Sequence, residues 1–325
     1  MLDIFAIKPH EVSRTLNGYV VMVYGEAKVG KTTLASKMPK TLLVAAEKGY
    51  SALPGIMAQP VNSWSDFLKV LRQLKDPRAK DIYQNIALDT VDILYDYCEQ
   101  YICSQAGVDT IAEIPFGGGY AKVAKEFDSK LRSIVQMDYG MLLISHAQDK
   151  EFTNELGQKH NQIVPTLANK PRLICTRMAD IIGYARTIDN PETGTTDAWM
   201  FMRGTPRFVA GSRFAYMTDK IIFNYDNLVN AIGDAIDLQS KATGGMYITD
   251  TKSNHNAAPV DLDFDTLMHD FQSTISELMS KDDSNKDRIA IIIEKHLGKG
   301  KKASELRRDQ SGLLDIIIYE LKELM

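Results

Sequence analysis

Between residues 25 and 33 the chain reads Gly25-Glu26-Ala27-Lys28-Val29-Gly30-Lys31-Thr32-Thr33. Two glycines five residues apart, a lysine directly after the second and a hydroxyl residue next satisfy GxxxxGK[ST] in full. The spacing has a physical cause. The glycines let the backbone wrap so that consecutive amides point at one anion, and the start of the following helix adds partial positive charge. In such a loop the lysine reaches the β- and γ-phosphates of a nucleotide and the hydroxyl ligates Mg²⁺. Those roles fall to Lys31 and Thr32, with Gly25 to Thr33 as the cradle for ATP and Mg²⁺. The flanks agree, because YVVMVYG runs in as a strand and TTLASKM runs out as a helix.

Three further residues have types and places that suit this chemistry. A phosphate loop needs an acid at the end of a neighbouring strand to hold the Mg²⁺ shell, and Asp89, closing NIALDT, is the candidate; a turn aspartate capping the next helix is the alternative. Glu47 ends TLLVAAE, where a carboxylate can orient and deprotonate the attacking water; a solvated strand end is the plainer reading. His146 ends GMLLISH, where a polar group can sense the γ-phosphate and pass its presence to the following loop; otherwise it is a histidine hydrogen-bonded at a strand terminus.

The elements that must position these residues follow from the apolar pattern. Up to about residue 190, short apolar runs (19–25, 41–47, 85–90, 140–146 and 179–188) alternate with amphipathic segments. Runs apolar throughout suit strands covered on both faces. In SWSDFLKVLRQL, Trp64, Phe67, Leu68, Leu71 and Leu74 recur at helical spacing, with Ser63 as cap and Asp66 three residues on. Tyr120, Val123, Phe127, Leu131 and Ile134 do the same. Strand–helix alternation predicts an α/β fold with a mostly parallel sheet and right-handed crossovers, and residues 198–216 read as added strands with a turn at Gly204–Pro206. The expected organisation is a core over 1–238, a polar, aperiodic linker over 239–262 and a small helical C-terminal module over 263–325, with helices near 264–279, 286–297 and 311–324.

Composition narrows the function classes. With 325 residues, 44% apolar and 25% charged, the chain is an ordinary globular protein. It has no apolar stretch of membrane-spanning length and no signal-peptide pattern, so the cytoplasm is expected and a membrane is not. Three cysteines without a CxxC pair and six scattered histidines give no zinc spacing. A net charge of −4 does not announce a nucleic-acid binder, so any such role must come from local patches.

The segments YGEAKVGKTTLASKMPKTLLVAAEKGYSAL, IPFGGGYAKVAKEF, LLISHAQDKE, IVPTL, ADIIGYAR and GTPRFVAGSRF together resemble the RecA-like ATPases of phage recombination modules, the Sak-four type grouped with phage AAA-family NTP-binding proteins. The order of glutamate, aspartate and polar sensor after successive strands is also that of the RecA-like core, and the likeness covers roughly residues 5–235. It implies ATP hydrolysis, single-stranded DNA binding, and annealing or strand exchange beside a single-strand-binding protein. It gives Lys31 and Thr32 the phosphate and Mg²⁺ roles, Asp89 the second metal position, Glu47 the catalytic role and His146 the sensor role. It implies two DNA-binding loops, matching 107–119 and 149–172; the second holds Lys150, Lys159, Lys170 and Arg172 beside Asp149, Glu151 and Glu155. A surface hairpin packed on the core is the other reading of that stretch.

RecA-like sites are completed between subunits by a neighbour's cation, which implies a homo-oligomer, ring or filament. Arg207 and Arg213, flanking PRFVAGSR, are the candidates, each of which could equally be a plain surface residue. In KHLGKGKKASELRR, Lys295, Lys299, Lys301, Lys302, Arg307 and Arg308 stand against Glu305, a phosphate-seeking patch or a solvated connection. Two other function classes remain open: a P-loop kinase with a small acceptor, and a nucleotide-gated interaction module with vestigial hydrolysis.

Overall fold

The computed structural model describes residues 7, 9–153, 157–189, 194–244, 248–249, 263–282 and 284–324. The chain divides into two compact units, Lys8–His255 and Asn256–Met325 with Met1–Ile7.

The strands of the larger unit are β1 (Val12–Ser13), β2 (Val20–Gly25), β3 (Thr41–Ala45), β4 (Met57–Pro60), β5 (Asn85–Asp89), β6 (Gly140–Thr153), β7 (Lys159–Pro165), β8 (Ile181–Asp189), β9 (Thr196–Phe201), β10 (Gly211–Ser212), β11 (Lys220–Ile222) and β12 (Ile248–Thr249). Its helices are α1 (Lys31–Lys37), α2 (Trp64–Leu74), α3 (Pro77–Ile82), α4 (Val91–Ala106), α5 (Gly118–Gln136), α6 (Asn169–Met178) and α7 (Tyr225–Thr243). One sheet runs in the order β11-β9-β8-β2-β6-β5-β3-β4, with β10 added to β8 and β7 to β6. From β8 to β4 every pairing is parallel, while β9 and β11 extend the sheet antiparallel. This is the α/β core with a mostly parallel sheet that the alternating pattern predicts.

Alternate residues of the buried strands feed two apolar layers. Val20 and Met22 of β2 face Trp64 and Phe67 of α2, Leu94 of α4, and Val123, Phe127, Leu131 and Ile134 of α5 in one cluster. Val21 and Val23 join Leu34 of α1 and Leu228, Ala231, Ile232 and Ile236 of α7 in the other. Each such side chain contributes about 1.5–3 kcal/mol by leaving water. The start of α2 is fixed as its residues predict, the Ser63 hydroxyl accepting the Asp66 amide at 3.1 Å. Helix α7 was not anticipated, although Leu228, Ala231, Ile232, Ala235 and Ile236 carry the one-face spacing that signals it.

The structure corrects several expectations. Strand β5 is not the neighbour of β2, because β6 lies between them. Helix α7 runs on to Thr243, past the boundary at 238, and stops where Gly244, at φ 83°, caps it. Ile248 and Thr249, inside the expected linker, pair with Val12 and Ser13; residues 245–247 and 250–262 of that linker lie outside the described residues. Residues 202–210 are irregular rather than strand. Stretch 149–172 holds the hairpin that was one of its two readings: β6 and β7 pair antiparallel from Ala147↔Pro165 to Thr153↔Lys159, and α6 begins at Asn169.

In the smaller unit α8 (Phe264–Lys281), α9 (Asn285–Leu297) and α10 (Ser311–Lys322) enclose Leu267, Phe271, Leu278, Ile289, Leu314, Ile317, Ile318 and Leu321. Half of the basic run is paired there: Lys295 with Glu320 at 2.7 Å, Arg308 with Asp265 at 2.7 Å and Arg307 with Asp309 at 3.4 Å. Lys299, Lys301 and Lys302 remain exposed. Among the described residues no helix is long and apolar enough to cross a membrane.

Candidate phosphate-binding site

The strand register brings the chemistry to one edge of the sheet. Gly25, the last residue of β2, stands beside His146 of β6 and Ala185 of β8. Asp89 ends β5 beside Ile144 of β6 and Ala45 of β3. The carboxyl ends of parallel strands are where α/β sheets present their ligand crevices.

Gly25 is required by close approach, since a Cβ there would lie 2.0 Å from the Ala185 carbonyl oxygen. Gly30 is required by conformation, with φ 107° and ψ 15° at the start of α1. Between them Glu26, Ala27 and Lys28 are exposed and Val29 is buried. The Glu26 carboxylate anchors the loop to β8, accepting from the Thr187 amide at 3.0 Å and its hydroxyl at 2.7 Å. Lys31 is only 6% exposed. Its ammonium folds over its own loop, donating to the carbonyl oxygens of Gly25 at 2.9 Å and Glu26 at 2.6 Å. Burial lowers its pKa, against the charges of Asp89, Glu47, Asp92 and Glu26 that favour the cation.

The Thr32 hydroxyl donates to Asp89 Oδ2 at 2.7 Å, so the two residues assigned to Mg²⁺ are in contact. Asp89 is 4% exposed. Burial raises its pKa; the Thr32 hydrogen bond opposes that, and the like charge of Glu47 adds to it. A buried carboxylate and a hydroxyl converging beside a buried ammonium fit a hard divalent cation and phosphate oxygens better than an empty cleft.

Glu47 is placed by backbone. The amides of Ala46 and Glu47 donate to the Asp89 carbonyl at 2.7 and 3.2 Å, which extends the β3–β5 ladder past its last strand residue. Glu47 Oε1 lies 3.2 Å from His146 Nε2 and accepts from the Thr90 hydroxyl at 3.4 Å. Lys31, Thr32, Asp89, Glu47 and His146 therefore gather at one edge, two through the loop and three through the ends of β5 and β3 and the middle of β6, which does not stop at His146 as its apolar run suggests but continues to Thr153.

The other candidates do not gather there. Arg213 is tied to the opposite end of β2 and β8: its guanidinium donates to Asp180 Oδ1 and to the Arg177 carbonyl, each at 2.8 Å, while Asp180 Oδ2 accepts the Val20 amide at 2.8 Å. Arg207 is exposed, and its carbonyl accepts the Ile163 amide of β7 at 2.7 Å. On the hairpin, Lys159 is paired with Glu151 at 2.8 Å. Lys150 and Arg172 both donate to Asn169 Oδ1, at 2.8 and 2.9 Å, so two cations share one neutral oxygen. Lys170 is exposed at the first turn of α6.

Residue spacing gave no sign of Ser145, Thr166 and Thr187. Asp92 had a signal, an acid in the first turn of the helix after Asp89, but that placement equally suits a helix terminus. The hydroxyl residues are found only through the strand order.

Comparison with known proteins places this geometry. The SPbeta prophage-derived uncharacterized protein YorG of Bacillus subtilis (strain 168) is 29% identical over 328 residues, spanning 100% of this chain and 99% of that protein. Among solved structures, the flagellar accessory protein FlaH of Methanocaldococcus jannaschii is similar at 12% identity, over 64% of this chain and 85% of its own, with a TM-score of 0.34. A KaiC-like protein of Pyrococcus horikoshii OT3 is similar at 13% identity, over 58% and 80%, with a TM-score of 0.32. The model of a family described as AAA domain matches residues 17–214, a span that holds Lys31, Glu47, Asp89 and His146. The chain belongs to this AAA domain family and has its P-loop NTPase fold.

Proposed function

We propose that this protein binds and hydrolyses ATP with Mg²⁺ and is a RecA-like recombination ATPase of the phage, Sak-four type. In this reading it binds single-stranded DNA and promotes annealing or strand exchange beside a single-strand-binding protein, working in the cytoplasm as a homo-oligomeric ring or filament. The observation that carries it is the continuity of β6, which passes His146 at the nucleotide edge and runs without a break into the β6–β7 hairpin. One strand thus joins the place where a γ-phosphate would be sensed to the segment that holds Lys150 and Lys159. The unshared positive charge of Lys150 and Arg172 around Asn169 Oδ1 suits a phosphodiester, and the prophage origin of YorG supports the phage assignment.

Each site residue has a step. Lys31 exchanges its two loop carbonyls for β- and γ-phosphate oxygens and neutralises charge there. Thr32 and Asp89 hold Mg²⁺, which when bound offsets charge developing on the phosphates. Glu47 takes the proton of the attacking water, held for this by His146 Nε2 and the Asp89 carbonyl. Arg207, exposed and without an ion pair among the described residues, is the better arginine to reach a neighbouring subunit's phosphates, since Arg213 is engaged with Asp180.

The test is phosphate release by the full chain with Mg²⁺–ATP, with and without single-stranded DNA. Hydrolysis that rises with DNA is expected. Hydrolysis indifferent to DNA removes the recombination reading, and ADP formed only with a small acceptor makes the protein a kinase.

A further inference from the structure

Asp92 stands in the first turn of α4, three residues after Asp89, and has no part in the steps above. One of its oxygens, Oδ1, accepts two hydroxyl protons at once, from Ser145 at 3.0 Å and from Thr166 at 2.6 Å. Ser145 is the residue before His146 on β6 and is fully buried. Thr166 is the residue after the last position of β7, and its amide donates to the His146 carbonyl at 3.0 Å. Both strands of the hairpin are therefore fastened, at its base, to the helix that begins beside Asp89. The other oxygen, Oδ2, is shut away from solvent and has no hydrogen-bond partner among the described residues.

We propose that Asp92 is a positioning residue, the latch through which a shift of His146 at the nucleotide passes into the β6–β7 hairpin. The inference rests on the ATP-site reading above and adds how that site is regulated. A displacement of His146 carries its carbonyl, and with it the Thr166 amide. The Thr166 hydroxyl can then pass from Oδ1 to the open Oδ2 without leaving the carboxylate. Two acceptor seats on one half-buried carboxylate make a bistable joint, because a hydroxyl caught between them loses a charge-assisted hydrogen bond.

The experiment follows amide hydrogen exchange of 147–153 and 159–165 in the full chain, with and without the non-hydrolysable analogue AMP-PNP and Mg²⁺, alongside analogue affinity. In the wild type the analogue is expected to change hairpin exchange by about tenfold, the equivalent of one charge-assisted hydrogen bond. Thr166→Val, which removes the hydroxyl, and Asp92→Asn, which keeps one seat and blocks the other with an amide, are expected to bind the analogue within about threefold of wild type. Both should lose the response of the hairpin, and Thr166→Ser should restore it. A merely structural contact would alter exchange equally in both nucleotide states. A Thr166→Val hairpin that responds as the wild type does, or a wild type that binds the analogue without any hairpin response, overturns the latch while leaving the ATP site standing. A wild type that binds no nucleotide overturns the proposed function and the latch with it.

Discussion

Strands β2 and β8 lie side by side, and their two ends hold charged residues in opposite conditions. At the amino end Asp180 is saturated: one oxygen holds the Val20 amide, the other the Arg213 guanidinium, and its carbonyl takes the Arg213 amide at 2.8 Å. At the carboxyl end, about 17 Å away for a six-residue strand, the charges are provisional. Lys31 holds carbonyls of its own loop, and Asp89 is buried against a hydroxyl. The difference separates structure from function better than residue type does. A charge whose partners are complete holds a fold together, whereas one held by substitutes is waiting for a ligand.

The comparison breaks first at Lys31. Lys31→Ala is expected to lower hydrolysis by about 10³-fold or more and to weaken ATP binding sharply, since the β/γ charge loses its counter-ion. Near-wild-type turnover in a phosphate-release assay would mean that the lysine is only a loop brace. Glu47→Gln separates the two halves of the site. The amide keeps size and hydrogen bonding but cannot take a proton, so turnover should drop about 10²–10⁴-fold while equilibrium binding of a fluorescent ATP analogue persists. Normal turnover would place the base elsewhere.

The arginines sharpen the contrast from the other end. Arg207→Ala should bind ATP yet hydrolyse it poorly, with activity partly regained when mixed with Lys31→Ala protein, one subunit lending the arginine and the other the loop. Absence of rescue at every ratio removes Arg207 as a residue shared between subunits. Arg213→Ala is expected to leave hydrolysis unchanged and to cost about 1 kcal/mol, a drop in Tm of about 2–4 °C, read by thermal melting. A stable Arg213→Ala protein that cannot turn over ATP would reverse the two assignments.

What the residues disclosed in advance follows from how local each signal is. The phosphate loop is contiguous, so its spacing alone carried it, and Asp89, Glu47 and His146 each close an apolar run, a position readable before any pairing is known. The α/β core was legible for the same reason. Strand β4 escaped because Met57–Pro60 is a short, exposed edge strand with no β-branched run, and α7 because no element was read between the added strands ending at 216 and the linker. Asp92, Ser145 and Thr166 converge only because β6 is inserted between β2 and β5, which no spacing along the chain reveals. The place of Arg213 was hidden in the same way, since its bond to Asp180 at the amino end of β2 and β8 is visible only in the fold.

The close fit of Gly25 against Ala185 has a consequence for moving this site into another protein. The loop's first turn is moulded on β8: the Glu26 amide donates to the Ala185 carbonyl at 3.3 Å, and the Glu26 side chain takes both the amide and the hydroxyl of Thr187. The nine residues that define the motif are therefore not a portable part. The transferable module is the loop with its supporting strand and the neighbouring residues 181–187, two segments some 150 positions apart that a graft must carry together.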